Sequence, residues 1–397
     1  MGILNYLLIL LLIIFPITEL GKIQSGSISV SVNDIFFLIT ASLWIVLDFK
    51  KIKKTNFMLL KPIVLFSAIG LFSLAINFVN LTLNEFFVSM LYLVRWILYS
   101  SIYFILLTRD REFIKKFKYL LIVPICTVLI LGIIQFVYYP SLRNLFYLGW
   151  DEHLYRLFST FLDPNFAGAF LVISLIYLIF VSWQSYIKKR RNMFIFTSIL
   201  SVISFISVYL TYSRSALIML LVSLTVFLVL IKKIRILVLV LIVFVAFIFL
   251  SPKAFQTEGT NIFRIYSSQE RVKSAQVAVK IIEQSPVFGV GFNAYRYAQK
   301  RYVNLNDSKW ETTHSGAGTD NSFLFVLATA GIVGFVVYIY LIYKLFLLAN
   351  FKQKNPMSIV LISVLCGLLV NSLFINSLFY VFILQWVWIL AGLTENS

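Results

Sequence analysis

Long apolar runs separated by short polar connections dominate the 397-residue chain. A helix that crosses a bilayer needs about 17–25 mostly apolar residues, because each residue adds only 1.5 Å against a hydrocarbon layer of about 30 Å. Runs near or above that length lie at 2–18, 33–47, 58–79, 86–107, 119–139, 165–182, 193–212, 214–231, 234–250, 321–348, 357–374 and 376–393. The run at 33–47 is short, and only Tyr212-Ser-Arg214 separates 193–212 from 214–231. The pattern predicts an all-α fold, a polytopic membrane helix bundle of about 12 transmembrane helices. One stretch departs from it. Ser251 to Asp320 is mostly polar and holds nine of the 34 basic residues and one of the two histidines. The expected organisation is helices one to nine in 1–250, a large loop containing short helices in 251–320, and helices ten to twelve in 321–397, all in one integral membrane domain.

Inside that loop, Ser267-Ser-Gln-Glu270 has the spacing of a capping box and predicts a helix start. The helix runs to about Gln284 and stops at Ser285-Pro286, since the residue before proline is pushed out of the helical region. Val272, Ala275, Ala278, Val279 and Ile282 form one face of it; Lys273, Gln276, Lys280 and Glu283 form the other. The following Pro286-Val-Phe-Gly-Val-Gly291 reads as a turn. Gly289-Val-Gly291-Phe-Asn-Ala294 matches a dinucleotide-binding pattern in letters only, because no strand precedes it.

Composition supports lipid as the solvent: 60% of residues are hydrophobic, 13% are charged, and mean hydropathy is +0.93. A net charge of +18 in a soluble protein would point to nucleic acid. Here the bases sit in short loops, where they set topology, and no nucleic-acid partner is expected. The even-numbered connections carry nineteen Lys and Arg residues. The odd ones, the long loop aside, carry four: Lys22, Arg143, Arg156 and Arg214. That bias predicts both termini in the cytoplasm, with 251–320 and 140–164 outside. The N-terminal run lacks a basic leader and a small-residue cleavage site, so it reads as a retained span. Cys126 and Cys366 lie in apolar runs and are expected unpaired. No span carries a central Asp or Glu, and the two halves have unequal loops, which weighs against ion-coupled transport and against an inverted repeat.

Candidate chemistry begins with arginines. Arg95 lies near the middle of the fourth run, where it is either a carbonyl-paired structural residue or a functional one. Arg214 interrupts an apolar stretch at the outer surface, either to wet the turn or to hold an anion; its planar fork suits phosphate oxygens. Arg271 falls on the apolar side of the loop helix and needs an anionic partner, a carboxylate of the protein or a substrate phosphate. His314, between small residues and close to Asp320, has the chemistry of a general base, and Asp320 or Thr319 alternatively caps the next helix. Asp163-Pro-Asn165 reads as a turn and helix start that can add polar groups to a cavity. No metal-ligand spacing occurs, so no protein-bound metal is expected.

Four stretches in order carry a resemblance: Phe161-Leu-Asp-Pro-Asn-Phe-Ala-Gly168; Thr211-Tyr-Ser-Arg-Ser-Ala216; Arg271 through Gly289-Val-Gly-Phe292; and Thr319-Asp-Asn-Ser-Phe-Leu324 with Ala330-Gly-Ile-Val-Gly334. Over roughly 155–340 the chain resembles the O-antigen ligase and polymerase superfamily. The resemblance implies a GT-C-like bundle in the bacterial cytoplasmic membrane, with 251–320 as its extracytoplasmic catalytic loop. It implies a glycosyltransferase of polysaccharide biosynthesis that takes glycan from undecaprenyl pyrophosphate, without cofactor, nucleotide sugar or metal. The implied partners are that lipid-linked oligosaccharide, the bilayer, and a chain-length regulator and flippase of the same pathway. Arg214 and Arg271 match arginines thought to hold the diphosphate, and Arg264, Arg95, Asp163 and Asn165 are additional candidates. Many members read His-Asn where this chain reads Asp320-Asn321, with His314 six residues upstream, so the expected base is His314 or Asp320. Polymerase is the leading expectation, ligase the second, and a lipid-linked sugar transporter the alternative of another class.

Overall fold

The computed structural model describes residues 2–25, 28–148, 150–238, 242, 258–261, 266–303, 318–351 and 355–396. Among these residues the chain forms fifteen α-helices. They are α1 (Ile3–Ile14), α2 (Val32–Leu47), α3 (Phe49–Lys54), α4 (Leu60–Ile76), α5 (Leu83–Leu107), α6 (Arg111–Leu120), α7 (Ile122–Tyr138), α8 (Pro164–Ile187), α9 (Arg191–Leu210), α10 (Arg214–Leu230), α11 (Tyr266–Gln284), α12 (Tyr295–Val303), α13 (Ser322–Phe351), α14 (Met357–Asn371) and α15 (Val381–Glu395). Eleven of the twelve expected runs coincide with an apolar helix; the other, 234–250, lies mostly outside the described residues. Six helical segments are long and apolar enough to cross a membrane: Ile3–Gly21, Leu83–Leu107, Arg111–Tyr138, Pro164–Ile187, Arg191–Leu210 and Ser322–Asn350. Five more are apolar but shorter. The all-α expectation needs one amendment: β1 (Lys22–Ser25) and β2 (Ile28–Ser31) pair as an antiparallel hairpin, with Lys22 opposite Ser31.

Two compact units form, and neither is continuous in sequence. The first comprises Met1–Lys116, Ile265–Lys352 and Ser372–Ser397; the second comprises Phe117–Arg264 and Gln353–Asn371.

In the first unit α5 packs along α15, and α4 along α13, with α1 and α2 beside them. Aromatic rings fill the junctions: Phe66 lies 5.1 Å from both Trp96 and Tyr338, and Trp96 lies 6.1 Å from Trp388. Arg95, deep in α5, is tied to the hairpin. Its Nη2 donates to Asp34 Oδ2 at 2.8 Å and to the Ser29 carbonyl, and its guanidinium stands 4.8 Å over the Tyr92 ring. Asp34 is itself fixed by a capping box with Ser31 at the start of α2. A charge in an apolar setting needs such a partner.

The turn after α11 is the tightest feature of this unit. Gly289 (φ +70°) and Gly331 (φ +65°) lie back to back, and Gly331 breaks α13 in its first half. A Cβ on Gly289 would stand 2.4 Å from the Thr329 carbonyl carbon, and one on Gly331 2.2 Å from the Val287 carbonyl oxygen. The break exposes backbone groups that the turn satisfies: Val290 N–H donates to Ala328 O, and Ile332 N–H to Pro286 O, both at 2.9 Å. Ser73 of α4 shares its hydroxyl proton between the carbonyls of Phe288 (2.5 Å) and Thr329 (2.8 Å), and Asn77 Nδ2 donates to Gly289 O at 2.9 Å.

In the second unit α8 is the buried centre, packed on α9, α10 and α14. Small residues permit the approach: a Cβ on Gly168 of α8 would meet Ala216 of α10 at 2.6 Å. Both cysteines are free.

Candidate active site

The site residues on α11 are placed by how that helix docks. Its observed span, Tyr266–Gln284, agrees with the expected one, and its buried face agrees in part: Ala278 and Ile282 pack as expected, Val272 and Val279 do not. Ala278 and Ile281 are fully buried, in a cluster with Val290, Tyr295, Ala298, Phe325 and Ala328. Val272 and Val279 are 57% and 45% exposed. Ser274, a polar residue, makes its own contacts on the segment leading into α13. Ser274 Oγ donates to Thr319 Oγ1 at 3.3 Å and accepts from the Asp320 N–H at 3.2 Å.

Arg271 lies one turn before Ser274, half-buried, its guanidinium 6.0 Å over the Phe374 ring. Asp320 is exposed, and Thr319 is buried. Neither is the cap of α13. Asn321 takes that role, its Oδ1 accepting from the N–H groups of Phe323 (2.9 Å) and Leu324 (3.1 Å), which leaves the Asp320 carboxylate out of the capping geometry. Beside them, burial raises the pKa of Tyr295 far above the ordinary phenol range, and the Asp320 charge adds to the effect, so the hydroxyl stays protonated.

In the second unit the Asp163-Asn165 and Ser213-Arg214-Ser215 motifs meet. Asp163 Oδ1 accepts from the N–H groups of Asn165 (2.6 Å) and Phe166 (3.3 Å), so its carboxylate starts α8, with Pro164 as first helical residue. Ser213 caps α10 and donates to Asn165 Oδ1 at 2.8 Å; its Oγ is 3.1 Å from Ser215 Oγ. Arg214 is then the first residue of α10, half-buried at a helix N-terminus, where the backbone also favours an anion.

The loop leading into α8 is strained. His153, Tyr155, Ser159 and Leu162 all have positive φ (47°, 54°, 50° and 56°), and so does Tyr212 (48°) just before Arg214. Each such non-glycine residue costs on the order of 1 kcal/mol, so the surroundings must hold it. Gln135 of α7 does much of this: its Oε1 accepts from Phe158 N–H (2.9 Å) and Ser159 N–H (3.0 Å), and its Nε2 donates to Tyr139 O (3.0 Å) and Arg156 O (3.3 Å). Arg156 is buried, and its Nε donates to Thr211 O at 2.9 Å. Asp151 has a raised pKa, from burial first and the nearby Asp163 charge second, with Arg156 opposing. Solvent still reaches its side chain and screens that effect.

His314 and Arg264 lie outside the described residues. Arg95 is the carbonyl- and carboxylate-paired residue described above, bordering a cavity of about 200 Å³ whose other walls include Ile35, Leu38, Val88 and Leu91. Sequence reasoning passed over Gln135, Arg156 and Ser274. The signal for Gln135 was present, a lone amide inside an apolar run.

Taken together, the apolar helices define a multi-pass membrane protein of helical class. Residues 199–339 match the family model described as O-Antigen ligase, which supports the resemblance of the chain's motifs to the O-antigen ligase and polymerase superfamily. Members of that family are glycosyl-transferring enzymes, which supports an enzymatic function of ligase or polymerase type. No curated protein matches the chain.

Proposed function

We propose that this protein is a glycosyltransferase that joins undecaprenyl-pyrophosphate-linked oligosaccharide repeats into a surface polysaccharide, on the outer face of the bacterial cytoplasmic membrane. The observation that carries the reading is the family match at 199–339, a stretch that contains Arg214, Arg271, His314 and Asp320. In this reading the helices, about 12 with 234–250 counted, form a GT-C-like bundle with both termini in the cytoplasm and 251–320 outside. Transfer from a lipid diphosphate breaks the bond between the anomeric carbon and the diphosphate oxygen and forms one to the acceptor oxygen. The departing diphosphate gains charge, which positioned guanidinium groups stabilise. Arg214 and Arg271 are those groups. The acceptor hydroxyl loses its proton to a base, His314 or Asp320. Arg264, Asp163 and Asn165 support the binding of the same substrate. The reaction as written uses neither metal nor nucleotide sugar, and the pathway's flippase and chain-length regulator are its natural partners.

A second reading, a ligase that moves finished glycan to another acceptor such as lipid A core, is favoured by the description of the matched family. In vitro transfer separates them. The protein purified in detergent is given undecaprenyl-pyrophosphate-linked repeats from the host, and the products are run on a gel. A ladder of lengthening lipid-linked chains is expected, and it disappears in Arg214→Ala and in Arg271→Ala while both variants stay folded. Transfer only when a second acceptor is supplied makes it a ligase. Full activity in both arginine variants rejects the assigned roles, and silence in both assays with lipid crossing liposomes moves the protein to the transporters.

A further inference from the structure

The segment between α14 and α15, Ser372–Tyr380, has no part in the sequence motifs, yet it forms a wall beside Arg271 and Asp320 within the first unit. Four contacts brace it there. Ser322 N–H donates to Ser372 O at 2.9 Å, Asn321 Nδ2 to Leu373 O at 3.2 Å, and Leu378 N–H to Ser322 Oγ at 3.2 Å. The far end is pinned by Tyr380, whose hydroxyl donates to Glu19 Oε1 at 2.8 Å, and Glu19 also pairs with Lys22. Phe374 lies under the Arg271 guanidinium at 6.0 Å.

Two buried polar atoms in this braced wall have no hydrogen-bond partner among the described residues. Asn376 Oδ1 is buried without a hydrogen-bond partner, and so is Ser377 Oγ, in a side chain with no exposed surface. The Asn376 amide nitrogen stands 3.5 Å from where a Cβ on Gly318 would be, next to Thr319 and Asp320. Buried polar atoms are ordinarily satisfied by protein or ordered water, so atoms left open beside a candidate site mark a place where a ligand hydroxyl can take the position of a water. A carboxamide both donates and accepts. A phosphate offers only acceptors and a lipid chain offers neither, whereas a sugar hydroxyl offers one of each and matches the amide.

We propose that Ser372–Tyr380 is a glycan-reading wall, in which Asn376 hydrogen-bonds a hydroxyl of the sugar whose diphosphate Arg271 holds, and Phe374 positions that guanidinium. This rests on the reading given under Proposed function. The test uses the full chain in nanodiscs and two probes, bare undecaprenyl diphosphate and the lipid-linked oligosaccharide extracted from the host membrane. Wild-type protein is expected to bind the glycosylated lipid at least tenfold more tightly. Asn376→Ala is expected to cut that preference fivefold or more with bare-lipid affinity unchanged, which also reports an intact fold; Arg271→Ala weakens both lipids. An Asn376→Ala variant that keeps the full preference overturns the proposal. Equal binding of both lipids by the wild type overturns it too, while leaving the diphosphate reading standing. Binding of neither by the wild type removes the parent reading and this one with it.

Discussion

Gly331 shows how a single residue carries more than its own space. Its positive φ costs an L-residue about 1–2 kcal/mol, and the added methyl would meet the Val287 carbonyl at a distance no contact tolerates. Gly331→Ala is therefore expected to lower stability by on the order of 3 kcal/mol, read as an earlier thermal unfolding midpoint in detergent. Gly2→Ala, with open space at its Cβ, is the control and should melt with the wild type. Equal midpoints for both variants would mean that the turn and the broken helix are not in close backbone contact. At this scale the sequence revealed the kind of residue but not its partner. Gly289 and Gly291 were legible as turn-formers, and Ala330-Gly-Ile-Val-Gly334 only as a motif. Nothing local says that Gly289 meets Gly331, because the two lie far apart in sequence, with α12 between them. Arg95 teaches the same point: carbonyl pairing was among its expected roles and is found at Ser29, but nothing local named Asp34, on another helix, as its second partner.

Among the elements, α11 separates what periodicity can tell from what it cannot. The capping-box spacing and the Ser-Pro stop gave its ends, because both are local physics. The face it buries was legible only in part: Ala278 and Ile282 pack as the helical wheel expects and Lys273, Gln276, Lys280 and Glu283 are exposed, whereas Val272 and Val279 are exposed and Ile281 is fully buried. Ser274, bonded to Thr319 and Asp320, lies on the docked side as well. Truncation tells the two faces apart. Ile281→Ala, in the packed cluster, should cost about 2–5 kcal/mol, whereas Val279→Ala should stay within about 0.5 kcal/mol. The reverse order of thermal midpoints would restore the face expected from the helical wheel. The strained approach to α8 belongs to this scale too. Asp163 as a helix start was legible, but the run of left-handed residues before it was not, since His, Tyr, Ser and Leu carry no signal for that conformation.

For the molecule as a whole, apolar runs located eleven of the fifteen described helices, the apolar ones, because the bilayer forces backbone groups to pair within each segment. They did not reveal that the helices sort into two units that each draw on distant parts of the chain. The proposed topology has its own test, using Val272 as an exposed reporter on α11. In a background with Cys126→Ser and Cys366→Ser, Val272→Cys should react with a membrane-impermeant maleimide added to spheroplasts, without lysis. Labelling that waits for lysis would turn the proposed topology over and take 251–320 to the cytoplasm.

The bond between Ser73 and the turn also sets a timetable for biosynthesis. Ser73 and Phe288 are 215 residues apart in sequence. At a synthesis rate of about 5–20 residues per second, α4 waits roughly 10–40 s in the bilayer before its acceptor is even made. The second acceptor, Thr329, follows later still, 256 residues away. During that interval Ser73 and Asn77 are polar groups in transit, and a chain arrested before Gly331 presents them as the mark of an unfinished product. Closing of the turn is thus a late event that joins the early helix α4 to the second segment of the first unit, before its last segment, Ser372–Ser397, is made.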